Sequence, residues 1–212
     1  MAEYYTDRGT IHDHAALLAR TVGYKTITSI ANGMCFALSL EFIKRYQISP
    51  MKDVVQIWNT MHTDLLSHDV QLQLVATAQD TYQYDRTNTT KTPCTLIAEA
   101  MRSISGNIVP LIACVSYGMA QLDIGIAEIC SVISRGHCAL LCFDFIDNGA
   151  SAGHTIACVS GDANKLSDTC WWMFDPARGV RQAVDNGAEA FNVALTEYLR
   201  GHHAQSLVVA EF

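Results

Sequence analysis

Basic residues are few in this chain: 14 Lys and Arg stand against 21 Asp and Glu, a net charge of −7 at pH 7. Phosphate backbones are bound by clustered Lys and Arg, so this balance argues against nucleic acid as the main partner. It is compatible with a basic protein substrate. Long apolar runs are missing too. The stretch C-A-L-L-C-F at 138–143 is among the longest and is far too short to span a bilayer. The N-terminal M-A-E-Y-Y-T-D-R-G-T has no apolar centre, so it does not read as a secretory signal peptide. There is no internal repeat, no low-complexity tract and no C-x-x-C among the eight cysteines. Their irregular spacing leads us to expect a reduced compartment and mostly buried thiols. A metal site is not expected either. His154 and Cys158, like Cys138 and Cys142, are four apart in strand-like runs, about 13 Å along an extended chain, too far to share one ion. Nothing in the sequence calls for a cofactor.

What is present is a chain whose residues are half apolar, enough for a sizeable core. No linker divides it, and we expect one catalytic domain over 1–212. A first helix is expected over about 12–21. A second begins at Cys35, after Asn32-Gly33, and runs to about Tyr46 with Phe36, Leu38, Leu40, Phe42 and Ile43 on most of its faces, the pattern of a buried helix. Ser49-Pro50 reads as the start of a third, with Val54, Trp58, Met61 and Leu65 in one stripe. The polar stretch 79–92 reads as an exposed loop. Thr92-Pro93 opens a helix to about Ser103, N-I-V-P-L-I-A-C-V reads as a strand or buried segment, and a helix covers about 120–134. Three β-type runs follow, C-A-L-L-C-F-D-F, H-T-I-A-C-V-S and C-W-W-M-F-D, then a helix at about 186–200 and a last strand, S-L-V-V-A-E-F. Helices first and antiparallel strands after them give an α+β class.

The turn-rich 161–168 between two of those runs predicts a hairpin. Pairing symmetric about that loop sets His154 directly opposite Asp175, on one face of the sheet. An imidazole oriented by a carboxylate is what a general base requires. Cys35 supplies the nucleophile. In the first turn of a helix it meets unpaired N–H groups and the positive end of the dipole, which favour thiolate. Its backbone N–H is one oxyanion donor, and Asn32 is the nearest upstream amide side chain that adds a second.

The blocks N-G-M-C-F-A-L-S-L-E-F, G-H-T-I-A-C-V and W-M-F-D-P-A-R-G resemble, in order over about residues 30–200, the motifs of the YopT/AvrPphB-like cysteine proteases. The resemblance implies a papain-like fold, with a buried nucleophile helix packed on an antiparallel sheet. It implies Cys35 as nucleophile, His154 as base and Asp175 as the orienting acid. It further implies a bacterial effector or toxin, delivered by a secretion system without a signal peptide and acting in the cytosol of a target cell. A small GTPase or a kinase is the kind of protein such enzymes cut, and an immunity protein or a chaperone is a further partner it allows. The chain departs from the pattern twice. Asp-Pro-Asn of the family is Asp175-Pro176-Ala177 here, and the positions five and six before the cysteine, where papain-like enzymes carry their oxyanion amide, are Ile30 and Ser29.

Each residue has a rival. Cys94 also lies in a first helical turn, and we read it as a core-facing helix-start residue. His137 begins a strand but has no carboxylate at a hairpin-matched position, so it reads as an edge histidine. His202 and His203 read as a helix end, and Trp171 and Trp172 as core on one side and cover or pocket wall on the other. Two other functions fit the same residues: a glutamine deamidase or transglutaminase, which also starts with thiolate attack on a carbonyl, and an interaction module that keeps the fold without the chemistry.

Overall fold

The computed structural model describes residues 2–4, 34–49, 53–67, 69–147, 149–162, 169–183 and 187–212. The expected helix at 12–21 and Asn32 lie outside the described residues. Strand β1 (Ala2–Tyr4) is followed by four helices, α1 (Cys35–Ile48), α2 (Val54–Ser67), α3 (Asp69–Asn88) and α4 (Pro93–Ser105). Then come β2 (Ala113–Gly118), a 3-10 turn, α5 (Leu122–Ser134), β3 (Ala139–Asp147), β4 (Ala150–Asp162), β5 (Thr169–Asp175), β6 (Gly179–Gln182), α6 (Ala188–Gly201) and β7 (Ser206–Glu211). The seven strands form one sheet in the order β1-β6-β5-β4-β3-β7-β2, antiparallel throughout. The α+β expectation holds.

The sheet is buried on both faces because its central strands are apolar at odd and even positions alike. Leu140, Cys142, Ala157, Val159, Trp172 and Phe174 pack with α1 to α4 on one face. Leu141, Phe143, Ile156, Cys158, Trp171 and Met173 pack with α5 and α6 on the other. Trp171 and Trp172 therefore both belong to core, on opposite faces.

Helix α1 runs through the middle of the first core. Its residues from Cys35 to Ile43 are all buried, including Glu41. A buried carboxylate is costly without partners. Glu41 has three donors, Arg45 Nε at 2.6 Å, Lys44 Nζ at 2.5 Å and Gln71 Nε2 at 2.9 Å, and Arg45 also reaches Asp64 at 2.6 Å through a second nitrogen. Three of these contacts end on Glu41, and together the set pins α1 to α2 and α3, so the helix that carries Cys35 is fixed by charge as well as by packing.

Several sequence expectations are corrected. Residues 79–88 are the second half of α3, not a loop: Gln79 and Tyr82 are buried, Tyr82 stacks on Phe36 at 3.6 Å between ring centroids, and the polar residues cover the outer faces. Helix α2 is capped by Asp53, whose Oδ1 accepts from Gln56 N at 2.9 Å. Ser49 instead ends α1, its N–H bonding Arg45 O. Strand β2 begins at Ala113, later than the sequence suggests. Cys94 forms a disulfide with Cys114, Cα atoms 5.6 Å apart, joining the start of α4 to β2. That departs from the free-thiol expectation, because spacing along the chain says nothing about which distant segments fold together.

Candidate active site

Cys35 is the first residue of α1. Met34 precedes it with no side-chain cap, so the first-turn N–H groups need other acceptors. Gln79, fully buried on α3, supplies one: its Oε1 accepts from Ala37 N at 3.0 Å. Further along α1, Ser39 Oγ donates to Thr155 O at 3.1 Å. Thr155 follows His154 on β4, so this bond sets the distance between the thiol helix and the histidine.

His154 and Asp175 come together, but not as symmetric pairing predicts. The β4–β5 ladder runs on to Asp162↔Thr169 and ends at Ala157↔Phe174. Strand β4 extends two residues into the expected turn while β5 begins where that turn was expected to end, so the register slips by two. Asp175 follows Phe174 and is level with Ile156, diagonal to His154. A two-residue slip preserves the face, and the side chains still meet: His154 Nε2 lies 3.0 Å from Asp175 Oδ1. Because the ladder stops short of His154, no β5 residue pairs with it, and α1 reaches its ring there. Cys35 lines the same cleft as His154, and its side chain helps to raise the pKa of the imidazole.

The carboxylate of Asp175 is 1% exposed and satisfied on both oxygens. Oδ1 also accepts from Ala177 N at 2.9 Å, and Oδ2 accepts from Tyr198 Oη at 2.7 Å. The first of these bonds needs only a backbone N–H, so alanine serves at the position where the motif carries asparagine. Burial works against charge on both members of the pair. On His154 the hydrogen bonds and charges of Asp175 and Cys35 outweigh it and push the pKa up to about 10. On Asp175, His154, Tyr198 and the Ala177 N–H outweigh it and hold the carboxyl below its ordinary range. Phe143, the cross-strand partner of His154, meets its ring edge-on at 5.7 Å, and His202 stacks on it at 6.1 Å.

Cys35 and His154 open into a cleft of about 290 Å³. One wall is helical, with Tyr82, Gln83 and Arg86; the other is the sheet, with Cys142, Asp144 and Gly153. Arg86 and Asp144 form an ion pair across it. Gly153 leaves room for that pair, since a Cβ there would meet Arg86 Nη1 at 3.0 Å and Asp144 Oδ1 at 3.3 Å. Cys142 is a second thiol in the cleft, and burial pushes it up to about 12.

The rivals separate cleanly. Cys94 is in its disulfide. His137 does have a carboxylate, Glu211 Oε1 at 2.5 Å, delivered by β7 and not by a hairpin. It lies six residues from the level of Phe143, about 20 Å along the strand, and so belongs to a different end of the sheet. His202 ends α6 as expected, yet it also borders His154. Sequence reading missed Gln79, Tyr198 and this role of His202. Tyr198 carried a faint signal only: with Phe191, Leu195 and Leu199 it completes the apolar stripe of α6, which reads as core.

No protein-family model matches the chain, and comparison with curated proteins gives no match. Among solved structures it is similar to the Pseudomonas avirulence protein AvrPphB, with a TM-score of 0.55 and 18% identity, over 86% of this chain and 93% of that one. At that identity the likeness is one of fold, and the fold is the papain-like α+β fold that the motif blocks imply.

Proposed function

We propose that the chain is a thiol protease of the YopT/AvrPphB-like kind that cleaves a protein of a target cell. The observation that carries this reading is His154, bonded to Asp175, lining one cleft with Cys35 at the start of its helix. In the reaction, the proton of Cys35 rests on His154 and the thiolate attacks the substrate carbonyl carbon, forming a C–S bond. The charge that develops on oxygen is met by the Cys35 N–H and Asn32. His154 gives its proton to the departing amine as the C–N bond breaks. Water then attacks the thioester, His154 takes its proton, and collapse releases the carboxylic acid and restores the thiol. Asp175 keeps the ring in place and stabilises its charged form throughout.

Delivery by a bacterial secretion system, action in the target-cell cytosol, a small GTPase or kinase as substrate, and an immunity protein or chaperone as partner all follow from the same resemblance. The decisive experiment is proteomic: target-cell lysate treated with the wild type and with Cys35→Ala. New N-termini that appear only with the wild type support a protease. Glutamine-to-glutamate conversion without cleavage would replace it with a deamidase, and no difference between the two proteins would remove catalysis altogether.

A further inference from the structure

The sheet ends differently on its two sides. One edge strand, β1, is three residues long and carries Glu3, the short and charged form that keeps an edge from pairing with another chain. The other, β2, is six residues long and is bonded to β7 along one side. Among the described residues no strand pairs with its outer side. No charged residue occurs from Ser103 to Leu122, so β2 and both of its flanks lack that protection. Ile112, Val115 and Met119, spaced along the strand and its ends, are exposed. We propose that β2 pairs antiparallel with β2 of a second copy of this chain, across a two-fold axis at Val115.

The edge is ordered before any partner arrives. Cys114 is tied on one face to α4 through its disulfide with Cys94. Tyr117 packs on the other face against α5, where a Cβ on Gly125 would meet its ring at 3.0 Å. An edge held in this way loses little conformational freedom on pairing. Symmetry and charge both select a second copy. A two-fold axis perpendicular to the sheet joins residues of the same face, and centring it on Val115 does so: Val115 meets Val115, and Ala113 meets Tyr117. The same register sets Ile112 of each copy opposite Gly118 and beside Met119 of the other, so the exposed apolar residues of one strand cover those of its mate. Each copy carries a net charge of −7, and two such copies approach best where neither presents a charge, as along β2 and its flanks. Pro93, next to Cys94, lines the cleft of Cys35, so the paired edge is tied through the disulfide to the wall of that cleft.

Sedimentation velocity of the full chain at concentrations from about 1 to 200 μM tests the pairing and does not depend on catalysis. We expect a reversible dimer with a Kd on the order of 10 μM, the weak range of an interface built on one strand pair. Val115→Lys sets two like charges opposite each other and should weaken association about tenfold or more. Val115→Thr keeps a β-branched, uncharged side chain and should keep the dimer. Ile146→Lys, at an exposed apolar position of β3, should leave association unchanged. Amide hydrogen exchange locates the contact: exchange in β2 should slow with rising concentration in the wild type and not in Val115→Lys. Val115 is 45% exposed, so its substitution should spare the fold, and Ala113→Lys, opposite Tyr117 in the pairing, replaces it if it does not. A chain that stays monomeric over the whole range would overturn the proposal. So would a dimer that Val115→Lys leaves intact, that Ile146→Lys weakens equally, or in which β2 exchange is independent of concentration.

Discussion

His154 Nε2 sits 3.0 Å from Asp175 Oδ1, although the two residues are diagonal and not opposed in the sheet. Through this bond the pair titrates as a unit, and its effect on stability has a definite sign. The folded pKa of His154 is raised from 6.5 to about 10, so its contribution is full below 6.5 and is lost as pH rises through 10. Asp175 is held below 3.8, so its contribution is present above that value and is lost as pH falls through its lower folded value. The stability gap between wild type and His154→Ala should therefore be widest between about 3.8 and 6.5 and close towards 10. Thermal unfolding of both proteins across this range measures it. A gap that widens with rising pH would mean that the ring is bound neutral.

The same pair shows what the sequence carries and what it does not. Face assignment survives any even slip of register, so the meeting of His154 and Asp175 was legible from alternation and a turn. The exact pairing was not, because 161–168 can lend residues to either strand. Residues 79–88 misled for a related reason. The helix there is held by two buried residues, Gln79 and Tyr82, and a polar run with so little apolar periodicity resembles a loop. Gln79 and Tyr198 act through atoms delivered by helices distant in sequence, and no local pattern announces such meetings.

Thiol selectivity is the second expectation. Iodoacetamide should label Cys35 before Cys142, which burial keeps protonated with a pKa of about 12, and before Cys158, raised well above the ordinary range. Peptide mapping after brief labelling near neutral pH reads the order. Cys35→Ala should abolish turnover and leave the fold intact, and faster labelling of Cys142 than of Cys35 would move the nucleophile along the cleft.

Gly153→Ala tests the cleft wall. The added Cβ meets the mobile tip of Arg86 and a carboxylate oxygen of Asp144, so the ion pair should give way with little effect on the fold. Both partners are more than a third exposed, and losing their pairing costs at most about 1 kcal/mol. We expect thermal stability close to wild type, with KM raised more than kcat is lowered. An equal loss of kcat and kcat/KM would place Gly153 in the transition state and not in substrate binding.

Tyr198→Phe removes one oxygen atom and nothing else from the site. In the wild type that hydroxyl donates 2.7 Å to Asp175 Oδ2, leaving Oδ1 for His154 and the Ala177 N–H. Without it a buried carboxylate oxygen loses its donor, at a cost of roughly 1–3 kcal/mol. Part of that cost returns as a higher Asp175 pKa, because the hydroxyl is one of the groups that hold it down. A carboxylate that is easier to protonate also supports the imidazolium less well, so the acid limb of the pH–rate profile should move to higher pH. Asp175→Ala should go further, with a loss on the order of 10²–10⁴ in turnover. The measurement is kcat/KM, or the rate of Cys35 alkylation, against pH in the wild type and in both variants. If Tyr198→Phe lowered stability and left the profile unmoved, the hydroxyl would be a packing contact of α6. A shifted acid limb with the maximum rate nearly kept would identify Tyr198 as the residue that positions the carboxylate behind His154.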